Sequence, residues 1–108
     1  MHIVLDKAAR LLWQNRSRQG GTKLLVRARD IEANGKVVER YTTVRDHSKA
    51  IVLGSNGERY EVWFYSTGKV FCSCAFFQDL EPFQRQALGC KHLLAHAIQL
   101  VNQQRKCA

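Results

Sequence analysis

The segment from Phe71 to Leu94 reads FCSCAFFQDLEPFQRQALGCKHLL and sets Cys72 and Cys74 ahead of Cys90 and His92 in a CxCx15CxH array. Three thiols and one imidazole make a complete donor set for a four-coordinate tetrahedral metal site. When protein fills all four positions, none is left for a reacting water. The array therefore predicts a closed metal staple. A chain of 108 residues is expected to form a single compact domain with a modest core, and domains of this size often lean on such a staple. Metal binding can supply on the order of 10 kcal/mol to the folding of a small module, so the C-terminal half should lose its structure when the metal is removed.

The four cysteines do not read as two disulfides. Cys72 and Cys74 are separated by one residue, and Asp6, Lys7 and Arg10 interrupt the apolar residues of Met1–Trp13 well short of a targeting segment. No apolar run approaches the ~20 residues of a membrane span. The expected setting is cytoplasmic or another reducing intracellular compartment, where clustered cysteines are more often metal ligands than disulfide partners. Cys107, beside Arg105 and Lys106, reads as part of a frayed terminus.

Charge is distributed unevenly. Lys and Arg number 17 against 9 Asp and Glu, a formal net charge of +8. Residues 1–49 hold eleven of the basic residues and five of the acidic ones, so the excess lies mainly outside the cysteine array. A basic domain is attracted to polyphosphates, which supports nucleic-acid binding without specifying it.

Periodicity supplies the elements. From Ile3 to Gln14, Val4, Leu5, Ala8, Leu11 and Leu12 recur at three- and four-residue spacing, predicting an amphipathic helix. Asn15–Gly21 reads as a linker ending in Gly20-Gly21. In Lys23–Arg29, Leu25, Arg27 and Arg29 alternate with Leu24, Val26 and Ala28, a strand pattern with an arginine face; Asn34-Gly35 then reads as a hairpin turn before a strand at Lys36–Val44. Further strands are expected at Ala50–Leu53, Tyr60–Tyr65 and Val70–Cys72. Leu93, Leu94, Ala97, Ile98, Leu100 and Val101 form an apolar stripe at helical spacing, placing Cys90 and His92 in the first turn of a C-terminal helix. The helix dipole there favours a thiolate. Between the ligand pairs, Ala75–Gly89 reads as a loop whose Phe76, Phe77, Leu80, Phe83 and Leu88 pack over the site.

The predicted class is α+β: an N-terminal helix with its linker over 1–21, a basic β-hairpin over 22–49, and a metal-binding region over 50–104 ending in a ββα unit. His96, one turn after His92, could replace it as a ligand or support it, but reads more simply as a surface residue; His2 and His47 have no visible partner. Trp13, Tyr41, Tyr60, Trp63, Phe64 and Tyr65 could stack on unpaired bases, although strand-spaced aromatics more commonly serve core and cross-strand packing.

Cys72-Ser73-Cys74, Ala75-Phe76-Phe77 and Gly89-Cys90-Lys91-His92-Leu93-Leu94-Ala95 together resemble the SWIM-type zinc finger, whose pattern is CxC, a variable spacer and CxH, often continued as CKHxLA. All four ligand positions match over about residues 50–101, and residues 1–49 are not covered. Ala75 and Gly89 stand where that family often has proline. The resemblance implies one structural Zn²⁺ on Cys72, Cys74, Cys90 and His92, a ββα module, and a partner that is DNA or protein.

An iron–sulfur cluster on three cysteines and a histidine is the rival for the ligand set, but the CDGSH type places its histidine four residues after the last cysteine, where Leu94 stands, and a Rieske centre needs two CxH-like arms. No HExxH array, phosphate loop or nucleophile elbow is present, and the chain is not expected to be an enzyme. The sequence-level expectation is a zinc-stabilised module that binds nucleic acid, foremost DNA, through Arg16, Arg18, Lys23, Arg27 and Arg29. The alternative is a small protein–protein adaptor with the same metal site.

Overall fold

A computed structural model of the chain describes residues 2–16 and 21–107. Two helices come first, α1 (His2–Arg16) and α2 (Gly21–Ala33). The amphipathic reading of α1 holds: Val4, Ala8 and Leu11 are buried in the core. The helix runs on through Asn15, expected to open a linker, because Asn15 is itself buried. Its Nδ2 donates to the carbonyl oxygens of Leu11 at 2.8 Å and Leu88 at 3.0 Å, tying α1 to the segment before the second ligand pair. Residues 17–20 of that expected linker lie outside the described residues.

The strand expected at Lys23–Arg29 is a helix. Over seven residues a period of two and a period of 3.6 fit this stretch equally well. Over thirteen, the inward set is Leu24, Leu25, Ala28 and Ile31, a helical recurrence, and Val26 points out at 49 % exposure. Leu, Lys, Arg and Ala are also good helix formers. Asn34-Gly35 consequently ends α2 instead of turning a hairpin. The Gly35 N–H donates to the Glu32 carbonyl and the Lys36 N–H to that of Ile31, with Gly35 at φ +70°, the left-handed helix stop that glycine favours.

Four strands follow as an antiparallel meander, β1 (Val37–Thr42), β2 (Ser48–Leu53), β3 (Arg59–Phe64) and β4 (Val70–Cys72), paired in sequence order. Ala50 pairs with Val62 and Val62 with Cys72; Ser48 pairs with Phe64 and Phe64 with Val70. These inward residues are buried, whereas Glu61 on the opposite face is exposed and Trp63 is half-buried, as alternation along a one-sided sheet requires. The strands expected after Gly35 thus form, Val70–Cys72 with the expected bounds and the others shifted by at most two residues.

The segment between the ligand pairs is more regular than a loop: α3 (Ala75–Asp79) and α4 (Pro82–Ala87) occupy it before α5 (Lys91–Cys107). Phe77 is buried and Phe76, though 52 % exposed, borders the hollow beside the cysteines, whereas Phe83, at 75 % exposure, does not pack over the site as expected. The side-chain amide of Gln86 brackets β4, accepting from the Val70 N–H and donating to the Val70 carbonyl.

Helix α5 packs against α1 and α2 on one side and against β2, β3 and β4 on the other. Every residue from His92 to Ala97 is buried, the signature of a helix enclosed by neighbours rather than lying on a surface. That placement overturns the surface reading of His96.

Candidate metal centre

The four ligands come from three local structures. Cys72 is the last residue of β4. Cys74 caps α3, its backbone extended at φ −74° and ψ 155° and its sulfur accepting the Phe77 N–H at 3.4 Å. Cys90 stands directly before α5, its carbonyl taking the Leu94 N–H at 2.9 Å, so it precedes the first turn that had been expected to contain it. His92 lies in that turn. Gly89, at φ +67°, swings the chain from α4 into α5, and a Cβ there would come within 3.3 Å of Leu93 Cδ1.

These placements converge. One donor atom from each of Cys72, Cys74, Cys90 and His92 lies within 4.8 Å of all the others, and all four residues are buried. His92 Nδ1 is 3.9 Å from the sulfurs of both Cys72 and Cys90. A tetrahedral ion with metal–sulfur and metal–nitrogen bonds of about 2.3 and 2.0 Å has ligand–ligand edges of about 3.5–3.8 Å, so the residues fit a single ion. The Tyr60 ring covers His92 with centroids 4.5 Å apart.

The electrostatics favour a cation at the centre. Hydrogen bonds from the Cys72 and Cys90 thiols hold the Cys74 thiol far below the ordinary range. The same interaction with Cys74 holds Cys72 far above it, and burial pushes Cys90 up to about 12. Three thiolates this close together would repel one another. A divalent ion would offset that repulsion and favour the deprotonated form of all three. None of the three is in a disulfide.

His96 is not part of the ligand group. It is fully buried, its Nε2 hydrogen-bonded to Ser48 Oγ at 2.9 Å, with the Phe64 ring edge-on at 5.6 Å. The signal for this was present in the sequence: the residues around His96 are apolar on every side of the helix, not along one stripe.

The expected phosphate contacts do not share a face. Arg16, Lys23, Arg27 and Arg29 are all exposed, and none pairs with an acid among the described residues. Arg18 lies outside the described residues, as do the side chains of His2 and Cys107. Arg27 lines a hollow of about 220 Å³ beside the ligands, together with Lys91, Tyr60 and Phe76. A neighbouring hollow of about 190 Å³ is bounded by Lys36, Asp30, Lys91 and His92. Lys91 and Lys36 were not singled out from the sequence, although Lys91 sits between two ligands.

Arg16 and Arg29 instead border a groove between α1, α2 and α5, where the Arg16 guanidinium lies 3.6 Å from the Trp13 ring centroid. Of the other aromatics, Phe64 is buried as expected of a core residue. Trp63 and Tyr65 stack at 5.5 Å on the outer side of the sheet, next to His47, whose Nδ1 accepts the Ser66 N–H at 2.9 Å. Lys49 lies over both Trp63 and Tyr41.

No helix among the described residues is long and apolar enough to cross a membrane. Comparisons with known protein families, curated proteins and solved structures find no match for the chain.

Proposed function

We propose that the chain is a SWIM-like zinc module that binds nucleic acid, with Cys72, Cys74, Cys90 and His92 holding one structural Zn²⁺. Zinc is favoured over an iron–sulfur cluster by the donor spacing. A two-iron cluster separates its protein ligands into two pairs, whereas here all four donors crowd within 4.8 Å of one another. With four protein ligands the ion has no open position, so its contribution is to cross-link β4, α3 and the start of α5, and the module has no catalytic role.

The observation that carries the nucleic-acid reading is the convergence of cations from separate elements around the ligand cluster. Arg27 of α2 and Lys91 of α5 share one hollow, and Lys91 and Lys36 share the next. Lys23, one helical turn before Arg27 and exposed, extends the same flank of α2. Because Lys91 lies between two ligands, metal binding would hold this cationic surface in place.

A mobility-shift titration at two salt concentrations tests the proposal. Each phosphate neutralised steepens the dependence of log affinity on log salt by about 0.9 for duplex and about 0.7 for single strands, so Lys23→Glu with Arg27→Glu should flatten the slope by about two contacts. Absence of binding to duplex and single strands at low salt, or binding indifferent to this pair, would overturn it.

A further inference from the structure

A concavity larger than either hollow beside the cysteine cluster lies elsewhere among the described residues. It is an open groove of about 640 Å³ between α1, α2 and α5. Leu12, Leu25, Ile98 and Val101 form its apolar lining, and Arg16 and Arg29 stand on its border. Trp13 is 63 % exposed beside them. A tryptophan left in water at the edge of an apolar groove and overlaid by an arginine has the composition of an interface anchor: Trp and Arg are enriched among residues that dominate binding energy.

Chemistry narrows the occupant. Phosphates gain nothing from an aliphatic floor, so a nucleic acid held by Arg16 and Arg29 would leave most of the groove unused. Small-molecule sites enclose most of their ligand, whereas this groove is open along its length. A second copy of the chain would bring its own excess charge of +8 against the two arginines. One acid, Glu32, lines the groove, and neither arginine forms an ion pair with a described residue. A surface with an apolar floor and an unpaired cationic border complements an amphipathic helix with acidic flanks.

We propose that this groove receives such a helix from a protein partner. Its apolar side seats on Leu12, Leu25, Ile98 and Val101, Trp13 anchors one edge, and its Asp or Glu side chains meet Arg16 and Arg29. The site is separate from the cations around the metal, so one module joins a nucleic acid on one surface to an acidic partner on another.

The test is selection, on the intact zinc-loaded protein, from a library of helix-forming 18-residue peptides. Leucine is fixed at i, i+3, i+4 and i+7 spacing, and the flanking positions are randomised among Glu, Gln and Lys. Selection should enrich Glu at the flanks. The selected peptide should lose at least about tenfold in affinity, the range of interface anchors, with Trp13→Ala and, separately, with Arg16→Glu plus Arg29→Glu. Lys23→Glu plus Arg27→Glu should leave it unchanged. All the substituted positions are exposed, and circular dichroism with metal content confirms that each variant is folded. The proposal is overturned if no peptide is selected, if Gln or Lys flanks do as well as Glu, or if neither Trp13 nor the arginine pair matters.

Discussion

His96 should make this protein acid-sensitive by an amount that can be worked out. Burial, reinforced by the positive charge of Arg40 and opposed by a polar contact with Gln99, pulls its pKa down from the ordinary 6.5 to about 4. The neutral ring accepts or donates one hydrogen bond, to Ser48 Oγ, and its Nδ1 has no partner among the described residues. A depressed histidine pKa means that the unfolded chain takes up the proton first, so stability is complete above pH 6.5 and is lost as pH falls toward 4. A difference of this size costs about 2 kcal/mol by pH 5 and about 3 kcal/mol by pH 4. Acid also weakens metal binding, because the ligands must be deprotonated to bind, so the informative quantity is a difference. Urea unfolding of the native chain and of His96→Gln, neutral at every pH, is followed at pH 7, 6 and 5. The dependence from the metal site is common to both and cancels. The native chain should lose about 2 kcal/mol relative to the variant between pH 7 and pH 5. Parallel stability curves would refute a buried, neutral His96.

Three further outcomes are expected. Purified protein should contain one zinc per chain by elemental analysis, and Cys74→Ser or His92→Ala should each lose it together with the α5 circular dichroism signal; full metal content in both variants would sink the ligand assignment. Asn15→Ala should cost about 1–3 kcal/mol in chemical denaturation, because it removes two hydrogen bonds and leaves the Leu88 carbonyl short of a donor. Gly89→Ala should cost about 1–2 kcal/mol or more and weaken zinc affinity, since the residue must hold φ +67° with Leu93 against the added Cβ; unchanged stability and affinity would show that the turn into α5 is not constrained.

How legible the fold was depended on the length over which each pattern ran. Strands β2 to β4 were readable because their alternation is bounded by turn residues and one face of the sheet is buried, so a shift of one residue would have exposed Val62 and Phe64. The cluster of four candidate ligands was readable because its chemistry is local: one residue separates each pair, and each pair sits at an element boundary. Helix α2 was not, because seven residues with apolar and basic side chains in turn satisfy both periods, and the deciding residue, Ile31, lies beyond them. The burial of His96 was missed for a different reason. Its neighbours read as one apolar stripe with a single covered face, whereas Leu93, Ala95, Ala97 and Ile98 surround the helix, and α1 and α2 cover the side that a stripe would leave open.

The error at α2 matters for function more than for fold. On a strand, Arg27 and Arg29 share a face; on a helix they point about 200° apart. Read as a strand, the basic residues merge into one phosphate-binding surface. In the folded chain Arg27 turns toward the metal centre and Arg29 toward the α1–α2–α5 groove. Charge reversal at Arg27 and Arg29 together, the natural test of a single basic face, would therefore disturb two surfaces at once and report on neither. Reversing them separately distinguishes the cases: Arg27→Glu should weaken nucleic-acid binding and spare the peptide, and Arg29→Glu should do the opposite. Equal effects of the two on nucleic-acid affinity would mean that the phosphates reach around α2, and that the groove is not a separate site.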